Sequence, residues 1–333
     1  MMSAEIFVTT KAGLQQFYEA VIAGNETFAP VEKFGKFDFV HTTRLADCNP
    51  DSPIAMTMSA KPLFFPRSAK IMQYTATSEG TSIYGTDEDP LAGNRVILGM
   101  KHCDARSLQV LDKVYNWDYI DTDYRKRRQN TIIISARCDQ AGLHCFCTSL
   151  DYDLENLDAM DVLIVNGPEG EVYISSKSEK GEEFLRNYTS GFSRANGDAA
   201  GAMKKQFDAF SSSFRLKMNY QEVNEKLSKI FDSPEFESVS ASCVSCNTCA
   251  FVCPTCHCFK ISDEKIRDTG VRYKSYDSCN NGYFTLMAGG HNPRPAKYRR
   301  WRQRALHKFV YYKERFGENL CVGGSGRARG TDV

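Results

Sequence analysis

The chain has 333 residues, 42% of them apolar and 12% aromatic, which is enough for two globular units of ~150 residues and excludes a disordered chain. Its 42 Lys and Arg against 41 Asp and Glu leave a formal net charge of +1, so the overall balance gives no case for nucleic acid or an anionic membrane surface. No apolar run approaches the ~18 residues of a membrane span, and Met1 to Lys11 has no basic end followed by an apolar stretch. A cytoplasmic protein is expected.

The first half alternates helical and strand patterns. A helix is predicted at Leu14 to Ile22, a strand at Arg95 to Met100 and a helix at Ala105 to Tyr115. The β-branched run Thr131 to Ser135, then Asp161 to Val165 and Glu171 to Ser175 about the turn Gly167-Pro168, read as further strands. An α/β domain over residues 1–190 follows. Residues 191–232 read as a helical connector in which Phe207, Phe210 and Phe214 share one face, as core residues do. Few strand signals follow, so 233–333 is expected to be a mainly helical, ferredoxin-like unit.

Cysteine placement carries most of the functional signal. Of thirteen, five lie in the first half, at Cys48, Cys103, Cys138, Cys145 and Cys147; eight lie between Cys243 and Cys321, six of them within sixteen residues. Outside oxidising compartments, such clustering points to metal or redox chemistry rather than to disulfides. Cys243, Cys246, Cys249, Cys253 and Pro254 have the C-x2-C-x2-C-x3-C-P spacing with which bacterial ferredoxins hold a [4Fe-4S] cube. Two-residue gaps let three thiolates wrap one cube from a single loop, while the fourth cysteine normally serves a second cluster. A zinc site would use pairs set further apart. Cys256 and Cys258 add two sulfurs beyond what a plain ferredoxin needs, and Cys279 and Cys321 complete the set.

The string from Cys243 to Phe259, C-x2-C-x2-C-x3-C-P-T-C-x-C-F, resembles the iron-sulfur beta subunit of sulfhydrogenases and the similar A subunit of anaerobic sulfite reductases. Ala288 to His291 with the basic residues that follow, His307-Lys308-Phe309, Cys321-Val322-Gly323, Gly99 to Asp104, Tyr124 to Arg128 and Cys145-Phe146-Cys147 also resemble this family, so the likeness runs from about residue 60 to 323. It implies a non-catalytic relay: electrons pass between a flavin subunit that handles NAD(P)H and a nickel-iron or siroheme subunit. The absence of a glycine-rich phosphate loop after a strand agrees with a chain that binds no dinucleotide itself. Two other readings stay open. One is a disulfide or sulfur reductase that uses the extra cysteines at a cluster; the other is a zinc-stabilised interaction module.

The departure from the family lies after Cys321, where relatives are expected to carry a second run of the same spacing. Gly324 occupies the next cysteine position and 325–333 contains no cysteine. The expectation is one complete [4Fe-4S] cluster on Cys243, Cys246 and Cys249, with Cys279 or one of Cys253, Cys256 and Cys258 as fourth ligand. Two or three clusters would need Cys253, Cys256, Cys258, Cys279 and Cys321 to redistribute, and Cys103, Cys138, Cys145 and Cys147 to hold a metal rather than pack as small apolar side chains. Cys48 has no partner pattern and reads as structural. Between Arg294 and Arg315 stand nine Lys or Arg and one acid, Glu314, a stretch suited to neutralising thiolate-ligated clusters or docking an acidic partner. His257 is expected to point outward, and His291 to cap or pack.

Overall fold

The computed structural model describes residues 5–34, 36–52, 58–85, 95–150, 152–153, 158–195 and 197–324. Its strands are β1 (Ile6–Thr10), β2 (Glu26–Lys33), β3 (Lys36–Thr42), β4 (Ser68–Thr77), β5 (Gly80–Tyr84), β6 (Arg95–Met100), β7 (Thr131–Ala136), β8 (Val162–Asn166), β9 (Glu171–Ser176), β10 (Ser193–Arg194), β11 (Phe259–Ile266) and β12 (Thr269–Tyr276). Its helices are α1 (Lys11–Gly24), α2 (Lys61–Phe64), α3 (His102–Tyr115), α4 (Thr122–Gln129), α5 (Glu179–Arg186), α6 (Ala199–Ser212), α7 (Tyr220–Lys229), α8 (Glu235–Val239), α9 (Thr248–Phe251), α10 (Lys297–Leu306) and α11 (Tyr312–Phe316).

Ten of these strands precede residue 195, and eight of the ten form one sheet in the order β10-β1-β9-β8-β7-β6-β2-β3, parallel through β2, β6, β7 and β8 and antiparallel toward both edges. Near-continuous apolar runs suit strands covered on both faces. In β6, Val96 and Leu98 pack with α1 on one face, against Leu14, Phe17, Val21 and Ile22, whereas Ile97 faces the other, against Leu108, Leu111 and Tyr124 of α3 and α4. The predicted elements at Leu14, Arg95, Ala105, Thr131, Asp161 and Glu171 all appear within a few residues of their expected bounds. The Thr10 hydroxyl accepts from the Gly13 N–H and Asp121 accepts from the Tyr124 N–H, so α1 and α4 begin on side-chain caps.

The second sheet corrects the expectation of a mainly helical C-terminal unit. The hairpin β11–β12 pairs antiparallel with β4 and β5 in the order β11-β12-β4-β5, with Gly270 opposite Tyr74 and Lys274 opposite Ala69. The sequence FKISDEKI of β11 shows no apolar face because nearly the whole strand is exposed at a sheet edge, and its backbone pairing leaves no hydropathy pattern to read. The hairpin has a consequence for the thiols: its base brings Cys258 and Cys279 together, since Phe259 pairs with Tyr276 and the Asp277 N–H donates to the Cys258 carbonyl at 3.0 Å. Beyond it, α10 continues through a π-helical turn, His307–Tyr311, into α11, which is tied to α3 by the Tyr312 hydroxyl on the Val110 carbonyl at 2.9 Å, and the segment just after α11 is tied to α3 by Arg106 and Lys113 on Glu318, both at 2.8 Å. Residues 325–333, the cysteine-free end, lie outside the described residues. No helix among the described residues is long and apolar enough to cross a membrane.

Candidate metal centre

The loop that carries the ferredoxin spacing is folded by two left-handed residues, Ser245 (φ 56°) and Asn247 (φ 65°), one on each side of Cys246. Cys243, Cys246, Cys249 and Cys253 consequently line one cavity of about 760 Å³, and Cys321 reaches the same cavity from the far end of the chain. Hydrogen bonds from the Thr248 hydroxyl and N–H hold the exposed Cys246 thiol below its ordinary pKa, favouring the thiolate that binds metal. No disulfide joins any of the thirteen cysteines.

The opposite wall is cationic. Helix α10 is held there by Trp301 on Phe236 of α8, ring centroids 6.1 Å apart, and it sets Arg304 and, one turn on, Lys308 into the cavity lining. Arg304 donates through Nη2 to the Cys249 carbonyl at 2.9 Å, while its buried Nε has no partner in the protein. Burial works against charge on Arg304 and Lys308, but the surrounding thiols outweigh it and raise both pKa values: Cys256, Cys249, Cys253 and Cys279 act on Arg304, Cys253, Cys321 and Cys256 on Lys308. From the first half, Lys61 of α2, 2% exposed, donates to the carbonyls of Cys253 and Cys256, both at 2.9 Å, and lies 4.5 Å from the Tyr276 ring centre.

The remaining thiols complete two pairs, Cys256 with Cys253 of the cavity lining and Cys258 with Cys279. The Cys256 thiol hydrogen-bonds Cys253 and holds it well below its ordinary value, with Lys308, Arg304 and Lys61 adding to the effect; Cys256 is raised in return. Cys279 does the same for Cys258, which is pulled down to about 7 while Cys279 rises. The Asn280 amide lies 3.7 Å from the Cys249 sulfur. Among the described residues no three His, Cys, Asp or Glu side chains stand close enough to hold a single metal ion. Soft thiol donors spread around a large cavity, beside cations with an orphaned N–H, fit a polynuclear thiolate-ligated cluster. Such a cluster, when bound, supplies one-electron transfer. The protein residues set its charge balance: Arg304, Lys308 and Lys61 oppose the negative charge of the thiolates.

The other sequence-predicted residues fall as follows. Cys103, Cys138, Cys145 and Cys147 line a second, small cavity of about 20 Å³. Cys48 sits apart, its sulfur 3.5 Å from the Leu45 carbonyl. His257 is half-buried rather than outward, with Nδ1 2.9 Å from the Thr255 carbonyl and its ring edge-on to His307 at 5.3 Å. His291 is exposed, and its carbonyl accepts from the Met287 N–H at 2.9 Å.

Residues 242–331 match a family model described as a 4Fe-4S dicluster domain. This chain carries a 4Fe-4S domain. Across 309 residues it is also 28% identical to sulfhydrogenase 2 subunit beta of Pyrococcus furiosus, a match that takes in 92% of this chain and 89% of that protein. The resemblance to the sulfhydrogenase beta subunit read from the cysteine string is therefore supported along nearly the full chain, as is the iron-sulfur cofactor. Arg304 and Lys308 fall in the basic stretch singled out by composition. Lys61 escaped notice because a single lysine 192 residues from its carbonyl partner carries no local signal.

Proposed function

We propose that the chain is the iron-sulfur electron-transfer subunit of a cytoplasmic redox complex, relaying electrons between a flavin subunit that uses NAD(P)H and a catalytic subunit of the hydrogenase, sulfur reductase or sulfite reductase kind. The observation that carries this reading is the convergence of Cys243, Cys246, Cys249, Cys253 and Cys321 on one cavity walled by Arg304 and Lys308. The match to a protein named a sulfhydrogenase beta subunit supports it. In this reading Cys243, Cys246 and Cys249 share one [4Fe-4S] cluster and take their fourth ligand from Cys253 or Cys321, which border the same space. Cys256, Cys258 and Cys279, with whichever of Cys253 and Cys321 is left, form the adjoining set, and residues 233–324 act as the cluster-bearing domain.

The test is anaerobic purification of the chain with whatever co-purifies, followed by NADPH oxidation assays with and without a flavin partner. A brown, oxygen-sensitive protein that is inactive alone and active with its flavin subunit is expected. Steady NADPH oxidation by the flavin-free chain, or a colourless protein with stoichiometric zinc, overturns the proposal. One observation favours a disulfide reductase instead: the pairing of Cys258 and Cys279 at the base of the β11–β12 hairpin. Disulfide turnover by the isolated chain, abolished by Cys258→Ser, distinguishes that reading.

A further inference from the structure

Four cysteines of the first half, separated by up to 44 residues of sequence, meet at one place. Cys103 lies in the first turn of α3, directly after β6, Cys138 follows β7, and Cys145 and Cys147 sit in the loop that leaves β7. β6 and β7 are parallel neighbours, and the carboxyl ends of parallel strands are where α/β sheets gather ligands. A turn at Cys145, whose N–H donates to the Gly142 carbonyl, and a 3₁₀ turn at Cys147–Ser149 bring the two loop sulfurs to the same cavity, where an extended strand would point them apart.

The bland account is that buried cysteines act as small apolar side chains. His102 argues against it. This imidazole, 3% exposed, lines the same cavity, and neither of its ring nitrogens has a hydrogen-bond partner in the protein. Leaving a polar group buried and unsatisfied costs ~1–3 kcal/mol, so an orphaned histidine beside four thiols indicates a missing polar occupant. Positive charge to offset thiolates is at hand in the buried Lys101 and Arg137, which flank His102 and Cys138 in sequence.

The site also adjoins the ferredoxin-type cavity. The Phe146 N–H donates to the Gly323 carbonyl at 3.0 Å, and the Tyr152 hydroxyl donates to the Val322 carbonyl at 2.7 Å. Phe146, Val322 and Gly323 line the large cavity, and Gly324 lines both. Gly323 has φ +65°, and a Cβ there would lie 2.6 Å from the Cys147 backbone nitrogen. One layer of residues separates the two thiol sets.

We propose that Cys103, Cys138, Cys145 and Cys147 ligate a metal centre of their own, an iron-sulfur cluster that extends the electron path from the ferredoxin-type site into the α/β domain. Each thiol gives its proton to solvent as its sulfur bonds iron, and inorganic sulfide and iron ions supply the core. The cavity as it stands takes a water-sized body, so binding turns the four side chains outward. His102 then serves as a positioning residue whose N–H donates to a cluster sulfur. Its place next to a redox site favours iron-sulfur over structural zinc.

The experiment uses the full chain, reconstituted anaerobically with iron and sulfide, and reads iron, acid-labile sulfide, zinc and the low-temperature EPR spectrum. In Cys145→Ser/Cys147→Ser, iron and sulfide should each fall by about four per chain while the signal that Cys246→Ser abolishes persists. Cys246→Ser should leave the first-half iron in place, which keeps this proposal separable from the ferredoxin-type assignment. His102→Gln should shift the potential or g-values of the first-half cluster alone. If the double variant loses both clusters through misfolding, the single Cys138→Ser, read the same way, decides. Unchanged iron and sulfide in Cys138→Ser, or one zinc per chain lost in place of iron, overturns the proposal.

Discussion

Lys61 and Cys253 meet across 192 residues of chain: the Lys61 ammonium donates to the Cys253 carbonyl at 2.9 Å and, with the same head group, to the Cys256 carbonyl. A lysine of the first half thus fixes the backbone that carries Cys253 and Cys256. In Lys61→Met two buried carbonyls lose a charged donor, at a cost on the order of 3 kcal/mol. The expected result is a lower melting temperature together with a more negative cluster potential, because a cation beside the reduced centre is gone. Thermal unfolding and redox titration of the same anaerobic sample check both.

Removing single thiols tests the ligand set. Cys246→Ser should abolish the cluster whose thiolates come from Cys243, Cys246 and Cys249, with the loss of about four irons per chain. An unchanged reduced-cluster EPR spectrum refutes that assignment.

Arg304 and Lys308 are expected to tune rather than to bind. Arg304→Gln removes the charge of the side chain and keeps an uncharged hydrogen-bond donor, so the oxidised cluster is favoured. A fall in potential on the order of 60 mV corresponds to a tenfold change in a one-electron equilibrium, and that is the scale expected. Iron content should stay at the wild-type level; loss of iron would instead make Arg304 essential to assembly.

Acid should destabilise the protein through His307. Burial, with His257 and Lys308 adding to it, lowers its pKa from 6.5 to about 4. The unfolded chain then accepts a proton that the folded one refuses, so this contribution is intact above about pH 6.5 and is lost as the pH falls toward about 4. The loss is on the order of 2–3 kcal/mol at its limit. Denaturant midpoints measured across this window should fall more steeply for the wild type than for His307→Gln.

Gly323→Ala should break the seam between the two thiol sets. The new Cβ would have to occupy a left-handed backbone at φ +65° and approach the Cys147 backbone to 2.6 Å. The conformation alone costs ~1–2 kcal/mol, and the contact adds to it. A melting temperature equal to that of wild type would show that the seam yields freely.

The parts legible in the sequence are those whose signal is local. Cys243, Cys246 and Cys249 are close neighbours in the chain, so their spacing alone marked out a loop whose thiols share one cavity, and β6, β7 and β8 showed themselves through continuous apolar runs buried on both faces. What stayed hidden depends on contacts between distant segments: β11 and β12, mostly polar and paired by backbone to β4; Lys61 beneath Cys253; and the placement of Cys321 on the same cavity as Cys243. No residue near any of these reports its partner. The gathering of Cys103, Cys138, Cys145 and Cys147 was half legible, since β6 and β7 were evident but their adjacency in the sheet was not.

The four-stranded antiparallel sheet also sets a schedule for biosynthesis. β4 and β5 leave the ribosome as a hairpin whose inner strand awaits β12, about 190 residues downstream. At 5–20 residues per second that delay is about 10–40 s, during which β4 presents an open edge, a ready template for wrong pairing. The same interval delays the meeting of Lys61 with the Cys253 loop, so an iron donor that acts before β12 is made encounters thiols not yet mounted on their support. Loading after chain completion is the order this topology imposes.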